Sequence, residues 1–380
     1  LFLMGGLDYQ NDLIHNSILA LSPAKELVSI YDKMLLPSYD IFDEKKYFQE
    51  GSKIGTIHFH DFHLALLICE DMWFSPQFHE RNPVQELFEL HQKKERFDAI
   101  LNLSASPFTI PKISERMSLA KSISKLFECP LAYVNRVGGE DEILFDGNSF
   151  VQNQENTLAH AQAFKEDTLV VSFEKNNKPQ SNTHHAIPQI FQTASLFKFT
   201  DEEMDMTIKA LSFGLQEYAR KSGFNKFVIA LSGGLDSSVV LTLVKLSLSK
   251  EQSVEAIFMP TSFSSTLSRE LSEKLCHNLG VKLYHFPISF LHKTIGSNFS
   301  HIFNAPINGL ADENLQSRLR GLLLYTRSNQ TSSLVINTSN KSELSVGYST
   351  LYGDSVGAIS LLGDLYKTEV FQIAKYINKK

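Results

Sequence analysis

The sequence predicts an α/β chain built in two halves, and three observations predict it. Short apolar runs of strand length alternate with longer segments of helical periodicity along the chain. In the second half the alternation is regular, strand then helix then strand, which is the pattern of βαβ units and of a doubly wound parallel sheet. Between the halves, residues 174–190 read EKNNKPQSNTHHAIPQI, a polar stretch with two prolines and the composition of a linker. The expected organisation is a first domain at 1–173, a linker at 174–194 and a second domain at 195–380.

In chain order, LFLMGGLDYQ at the start reads as a strand entered partway. Strands are then expected at 26–31, 53–59, 64–68, 99–103, 131–134, 149–151 and 169–173, with helices at 86–94 and 114–127. In the second half a helix at 201–221 leads into a strand at 227–231 and a buried helix from Val239. A strand at 254–259, a helix at 268–279, a strand at 282–287, a helix at 314–327, a strand at 334–337 and a helix from Lys367 follow.

The 380 residues are 43% hydrophobic and 21% charged, ordinary for a globular chain of two domains. A net charge of −6 supplies no general attraction to nucleic acid. Cys69, Cys129 and Cys276 are too few and too odd in number for a disulfide framework, which points to a reducing, cytoplasmic compartment. No apolar run reaches the ~18 residues of a membrane span.

One segment carries chemistry on its face: Ala230-Leu231-Ser232-Gly233-Gly234-Leu235-Asp236-Ser237-Ser238, between an apolar strand and an apolar helix. Strand, glycine-rich turn and helix aim backbone N–H groups and a helix N-terminus at an anion. It is not G-x-x-x-x-G-K-[ST], because the lysine is absent, nor is it G-x-G-x-x-G. Ser232 and the two glycines let the backbone close round an oxyanion, and Ser237 and Ser238 add hydroxyl donors. Asp236 would repel phosphate unless Mg²⁺ stood between them. Such a loop suits ATP whose β- and γ-phosphates leave together as pyrophosphate when a substrate carboxylate attacks the α-phosphorus. The plainer reading is a glycine-rich turn with capping serines.

SGGLDSS resembles the loop of the N-type ATP-pyrophosphatases, an adenine nucleotide alpha hydrolase-like fold. ENLQSRLRG (313–321), NTSNKSELSVGYSTLYGD (337–354) and GDLYKTEVF (363–371) narrow the resemblance to NAD synthetases. It implies ATP contacts at residues 230–238, Thr338 and Lys367, and Mg²⁺ held by Asp236 and Glu343. It also implies contacts to deamido-NAD at Asn314, Arg318, Glu343, Tyr348, Ser349, Thr350 and Leu351. From the residues alone, Thr338 follows a strand end, where nucleotides are contacted in such sheets, and Lys367 can supply the charge the loop lacks.

In the first half, LLICEDMWF (66–74) sets Cys69 at the end of an apolar strand, before two acids. A thiolate there can be a nucleophile; a buried structural thiol is the other reading. YDKMLLPSYDIFDEKKYF (31–48), NLSASPF (102–108) and NRVGGEDEILFDGNSF (135–150) resemble the nitrilase-like α/β sandwich of glutamine-dependent NAD synthetases. The resemblance implies Cys69 as nucleophile on glutamine, Lys33 as donor to the oxyanion, and Tyr39, Ser106 and Lys112 around the glutamine. The family's catalytic glutamate lies upstream of the lysine in a Pro-Glu segment. Residues 1–32 hold only Glu26, so this glutamate is expected before residue 1, and a family segment that closes over the dinucleotide is expected after residue 380. Glu44 and Glu70 are not promoted to its place. His58, His60 and His63 invite a metal reading, but no partner cluster accompanies them and the segment reads as strand and turn.

The function implied is synthesis of NAD from deamido-NAD, ATP and glutamine-derived ammonia by a homo-oligomer, without nucleic acid or membrane partners. Two alternatives stand beside it. One is another amide-forming adenylating synthetase, against which the Lys33 and Cys69 segments speak. The other is a non-catalytic nucleotide-binding fragment, which intact Asp236, Glu343, Lys367 and Cys69 disfavour.

Overall fold

The structure is a computed structural model and describes residues 1–24, 26–93, 96–172, 180–181 and 198–380. It divides into two compact units, Leu1–Gln192 and Thr193–Lys380. The linker expected at 174–194 lies outside the described residues apart from Gln180 and Ser181.

The first unit opens on an antiparallel sheet of β1 (Phe2–Gln10), β2 (Leu13–Leu21) and β3 (Leu27–Asp32). Asn11 and Asp12 turn β1 into β2 with φ of 49° and 63°, values that Asn and Asp tolerate and that match the twist of a two-residue hairpin. A six-stranded sheet follows, from β4 (Gly55–Phe59), β5 (Phe62–Ile68), β6 (Ala99–Ser104), β7 (Leu131–Asn135), a hairpin of β8 (Val137–Glu140) and β9 (Ile143–Asp146) outside it, then β10 (Phe150–Asn153) and β11 (Asn156–His160). Its order is β11-β10-β7-β6-β5-β4, with β5, β6 and β7 parallel and the flanking pairs antiparallel. β12 (Val171–Ser172) pairs with β13 (Gln180–Ser181); the strand expected at 169–173 is that short, and Phe173 lies outside the described residues.

Helices α1 (Pro83–Gln92) and α2 (Lys112–Phe127) cover one face of the large sheet. Asn82 starts α1 by accepting from Gln85 N at 3.1 Å, with Pro83 at the first helical position. On this face Leu87, Met117, Ile123 and Phe127 meet Leu67, Ile100 and Leu131. On the other, Leu66 and Ile68 meet Ile18 and Tyr31 of the small sheet. Burial on both faces is why 64–68 is continuously apolar.

The second unit begins with α3 (Asp201–Ser222), whose first turn is closed by Thr200 and Glu203 in a capping box and whose end is Gly223 at φ 75°. Then come β14 (Lys226–Ala230), α4 (Leu235–Ser247), β15 (Ser253–Phe258), α5 (Thr266–Leu279), β16 (Lys282–His285), α6 (Ser289–Phe303), α7 (Gly309–Thr331), β17 (Leu334–Asn337), α8 (Lys341–Ser345), β18 (Ile359–Ser360) and α9 (Lys367–Lys379). The sheet is wholly parallel, in the order β16-β15-β14-β17-β18. Phe227, Ile229 and Ile336 pack under α3, α4 and α9, while Val228 and Val335 pack with Leu319 and Leu324 of α7 on the opposite face. The chain runs outward from β14 to β16 and returns on the other side at β17. The order therefore reverses between β14 and β17, and ligands in such sheets bind in the crevice outside the strand ends at that point.

The sequence reading did not give β8, β9, β11, β13, α8 or β18, all of them short, nor two longer elements. β2 carries LIHNSILAL, whose polar residues mask the strand. α6 carries TIGSNFS, with a glycine and β-branched residues of low helix preference, and none of its residues is buried. Among the described residues no helix is long and apolar enough to cross a membrane.

Gly357 has φ 140°, and a Cβ there would stand 2.6 Å from Asn337 N. Gly357→Ala is expected to cost about 2 kcal/mol or more of stability, read as a lower urea midpoint; an unchanged midpoint would refute this close approach.

Candidate active sites

In the first unit Cys69 directly follows β5 and adopts φ 43°, a left-handed conformation that costs a non-glycine residue about 1 kcal/mol. Two buried side chains hold it there. Asn102 of β6 accepts from Cys69 N at 3.2 Å. Asp71 accepts from Ile68 N at 2.9 Å, Leu35 N at 2.9 Å, Met34 N at 3.2 Å and the Tyr31 hydroxyl at 2.7 Å. Asp71 thus ties the turn after β5 to the segment after β3, which carries Lys33. Burial pushes the Asp71 carboxyl up from its ordinary value, against the pull of those donors.

Lys33 is 1% exposed, and its Nζ donates to Glu44 Oε1 at 2.7 Å and Oε2 at 2.8 Å. Cys69 keeps part of its surface open, yet the protein around the thiol desolvates it and pushes its pKa up. The Lys33 charge opposes that, and the carboxylates of Glu70 and Glu44 reinforce it. Glu70 is itself buried and raised by burial, with Tyr39, Lys33 and Lys112 opposing. The Tyr39 hydroxyl donates to Glu70 Oε1 at 2.8 Å, and burial followed by that carboxylate raises the Tyr39 pKa.

Ser106 is also buried. Its N–H donates to Asn135 Oδ1 at 2.9 Å, and its hydroxyl accepts from Arg116 Nε at 3.2 Å and Nη2 at 3.0 Å. Arg116, fully buried, forms two bonds to Asp146 at 2.8 and 3.0 Å. Lys112 lies apart from Ser106's bonds: its ammonium is 3.9 Å from the Trp73 ring centroid and 3.7 Å from Glu115. Sequence reasoning named Glu44 but did not promote it, and its pairing with Lys33 was not expected. It did not name Arg116 or Asp146; the DG of FDGN after an apolar run was the one available signal for Asp146. His58 and His63 stack at 4.0 Å between ring centroids on neighbouring strands.

In the second unit the glycine-rich turn follows β14 at the switch point. Gly233 has φ 78°, and a Cβ on it would collide with the Ser268 carbonyl. Leu231 N donates to Ile257 O at 3.0 Å, and Gly234 N to Ser232 Oγ at 3.2 Å. Ser237 and Ser238 both turn their hydroxyls onto the Gly234 carbonyl, at 3.3 and 2.7 Å. The N-cap of α4 is Gly234, which has no side chain to bond the first N–H groups of the helix, and such groups are suited to an anion.

Asp236 in the first turn of α4 accepts from Lys367 Nζ in a short ion pair and from Asn340 Nδ2 at 3.2 Å. Asn340 N in turn donates to Glu343 Oε2 at 3.1 Å, so Asn340, which sequence reasoning did not select, links Asp236 to Glu343, while Lys367 joins them through Asp236. Thr338 directly follows β17. A second group gathers at α7 and the segment after α8. Asn314 Oδ1 accepts from Thr350 Oγ1 at 2.7 Å, and Arg318 Nε donates to Leu351 O at 3.1 Å. Tyr348 and Leu351 are exposed beside them, and Ser349 N closes a tight turn onto Gly347 O at 2.9 Å.

Comparison with known proteins places each half of the chain in a family. Residues 1–176 match the carbon-nitrogen hydrolase family model, and residues 207–379 the NAD synthase model. The chain is similar to the glutamine-dependent NAD(+) synthetase of Synechocystis sp., 35% identical over 92% of this chain and 61% of that protein. It is also similar to that of Aquifex aeolicus, 35% identical over 98% of this chain and 67% of that protein. Among solved structures, the glutamine-dependent NAD+ synthetase of Acinetobacter baumannii, in complex with ADP, superposes with a TM-score of 0.86. It is 32% identical, covering 99% of this chain and 67% of that one. The chain thus spans about three fifths to two thirds of the length of these relatives.

Breaking the buried Arg116–Asp146 pair from one side strands a charge. Arg116→Met is expected to cost about 3–5 kcal/mol by thermal or urea unfolding, and Arg116→Met with Asp146→Leu to recover much of it. Lys33→Met removes the cation that favours the Cys69 thiolate and frees the Glu44 charge that disfavours it. The midpoint of the pH–alkylation profile of Cys69 with iodoacetamide should therefore move up; a downward or absent shift would contradict the geometry.

Proposed function

The chain belongs to the glutamine-dependent NAD(+) synthetase family, and from that membership and the two sites we propose that it takes part in ATP-dependent amidation of deamido-NAD with ammonia drawn from glutamine. The observation that carries the reading is that Asp236, in the first turn of α4, pairs with Lys367 and is linked through Asn340 to Glu343.

In the first unit the Cys69 thiolate attacks the side-chain amide carbon of glutamine. The Lys33 ammonium stabilises the charge that develops on the oxygen, and its pairing with Glu44 fixes where it stands. Ammonia leaves, and water hydrolyses the thioester to glutamate. Tyr39 and Ser106 hold the substrate, with Lys112 assigned there by resemblance alone. The carboxylate at Lys33 Nζ is Glu44, one available to move protons beside the upstream glutamate of the family.

In the second unit residues 230–238 hold the β- and γ-phosphates of ATP by backbone N–H groups, with Thr338 toward the nucleotide. Asp236 and Glu343 would hold Mg²⁺, for which their hard carboxylate oxygens are suited. A Mg²⁺ ion held there would neutralise the charge of the departing pyrophosphate. Lys367 then moves from Asp236 to the phosphates. Asn314, Arg318 and residues 348–351 hold deamido-NAD so that its nicotinate carboxylate meets the α-phosphorus. The acyl-adenylate loses AMP to ammonia, giving NAD. Ammonium is not nucleophilic, which is the chemical reason to join an amidase to an adenylating unit. We propose the cytoplasm as the setting, where Cys69 stays a thiol, and a homo-oligomer as the working form.

The test is pyrophosphate release from ATP and Mg²⁺ with deamido-NAD. Cys69→Ala should abolish the glutamine-supported reaction and keep the ammonium-supported one. Asp236→Asn should lower both by about 100-fold or more while leaving glutamine hydrolysis in place. Release of pyrophosphate by Asp236→Asn at the full rate would sink the reading of the second unit.

A further inference from the structure

Arg320 of α7 is partly buried, yet no carboxylate meets it among the described residues. Its Nε donates to Met259 O at 3.2 Å, and its two terminal nitrogens form no hydrogen bond among those residues. Every other arginine except Arg318 forms an ion pair with a carboxylate. Taking a cation out of water without a counter-charge is costly. Burial pushes the Arg320 pKa down, and no neighbouring carboxylate acts against that.

The placement of Arg320 says what the missing partner is. β14 and β15 run parallel with Ala230 beside Ile257, and Leu231 N donates to Ile257 O. Met259 lies two residues beyond Ile257. Its carbonyl therefore stands level with the start of the glycine-rich turn, one strand spacing of about 4.8 Å to the side. Asn314 and Arg318, four residues apart, share a face of α7 and meet Thr350 and Leu351. Arg320 is about 200° round the helix from Arg318 and meets the end of β15 instead. It stands between the residues assigned to deamido-NAD and the phosphate turn. Two turns further along α7, Arg327 donates to Glu255 of β15 at 2.9 Å. Charge between this helix and this strand is thus neutralised away from the strand's carboxyl end and left open at it, where ligands bind in such sheets.

We propose that Arg320 is a further substrate-binding residue of the second unit, its guanidinium anchored to the Met259 carbonyl and its free nitrogens turned to a phosphate oxyanion. The oxyanion belongs to ATP or to the diphosphate of deamido-NAD. A planar guanidinium with two free nitrogens bonds phosphate in a fork, and the main-chain bond through Nε fixes its plane beforehand. This inference rests on the ATP and deamido-NAD reading of that unit.

The experiment measures dissociation constants on the full chain, for ATP with Mg²⁺ and separately for deamido-NAD, in the unsubstituted protein and in Arg320→Met. Loss of a charge-assisted bond should weaken one of the two by about tenfold to a hundredfold. Weaker ATP with deamido-NAD unchanged assigns the phosphates of ATP, and the reverse assigns the diphosphate of the dinucleotide. The urea midpoint should hold or rise, because methionine removes a partly buried charge that has no counter-charge. Unchanged binding of both nucleotides overturns the proposal. So does weakening that comes with a lower midpoint, which would make Arg320 a support for the end of β15. Where Arg320→Met fails to fold, Arg320→Lys, which keeps the cation and loses the fork, takes its place. Weakening of one nucleotide at an unchanged midpoint then supports the proposal, and unchanged binding overturns it. If the unsubstituted protein binds neither nucleotide, the synthetase reading of the second unit fails first and takes the proposal with it.

Discussion

Where parallel strands end, the ladder stops and backbone N–H and C=O groups lose their partners. Both units meet this constraint with amide, carboxylate and hydroxyl side chains placed at or just past the strand ends, buried ones except for Ser232. Asp71 and Asn102 close the end of β5, and Asn135 closes β7 by bonding Ser106 N and the Gly147 carbonyl. In the second unit Asn337 takes the carbonyls of Asp354 and Val356, and Ser232 serves the turn after β14. The chemistry-bearing side chains stand among these groups because that is where a rigid backbone leaves the sheet.

The same economy governs charge. A buried cation or carboxylate is tolerated only with a partner, and each one near a reactive group has one. Glu44 neutralises Lys33, Asp146 neutralises Arg116, and Lys367 neutralises Asp236. These pairs are exchangeable to different degrees. Arg116 and Asp146 are fully buried and support the wall that carries Ser106, whereas Lys367 and Asp236 are partly open. Cys69 sits between opposing terms: burial, Glu70 and Glu44 favour the thiol, and Lys33 the thiolate. Its reactivity is a matter of where Lys33 stands, and Asp71 decides that by holding Leu35 N and Met34 N against the Cys69 turn.

Much of the fold was legible because continuous apolar runs such as 64–68 and 227–231 can only be strands covered on both faces. The phosphate turn was legible for a related reason: two adjacent glycines after such a run announce a turn without side chains, and Gly233 has both the positive φ and the close neighbour that require it. β2 and α6 were not legible, since their sequences carry polar or β-branched residues whose placement is settled by what lies beside them.

The sequence by itself determined the two-part α/β organisation, the order of strands along the chain, and the residue types that can attack an amide or face a phosphate. Only the tertiary structure decided which of these meet. Glu44 reaches Lys33 across eleven positions, Asn340 reaches Asp236 across 104, and Arg116, four residues beyond Lys112, is the cation on Ser106. The physical reason is that periodicity and composition report burial, which is local, whereas a hydrogen bond depends on two side chains arriving within about 3 Å of each other, and that is set by packing of distant segments.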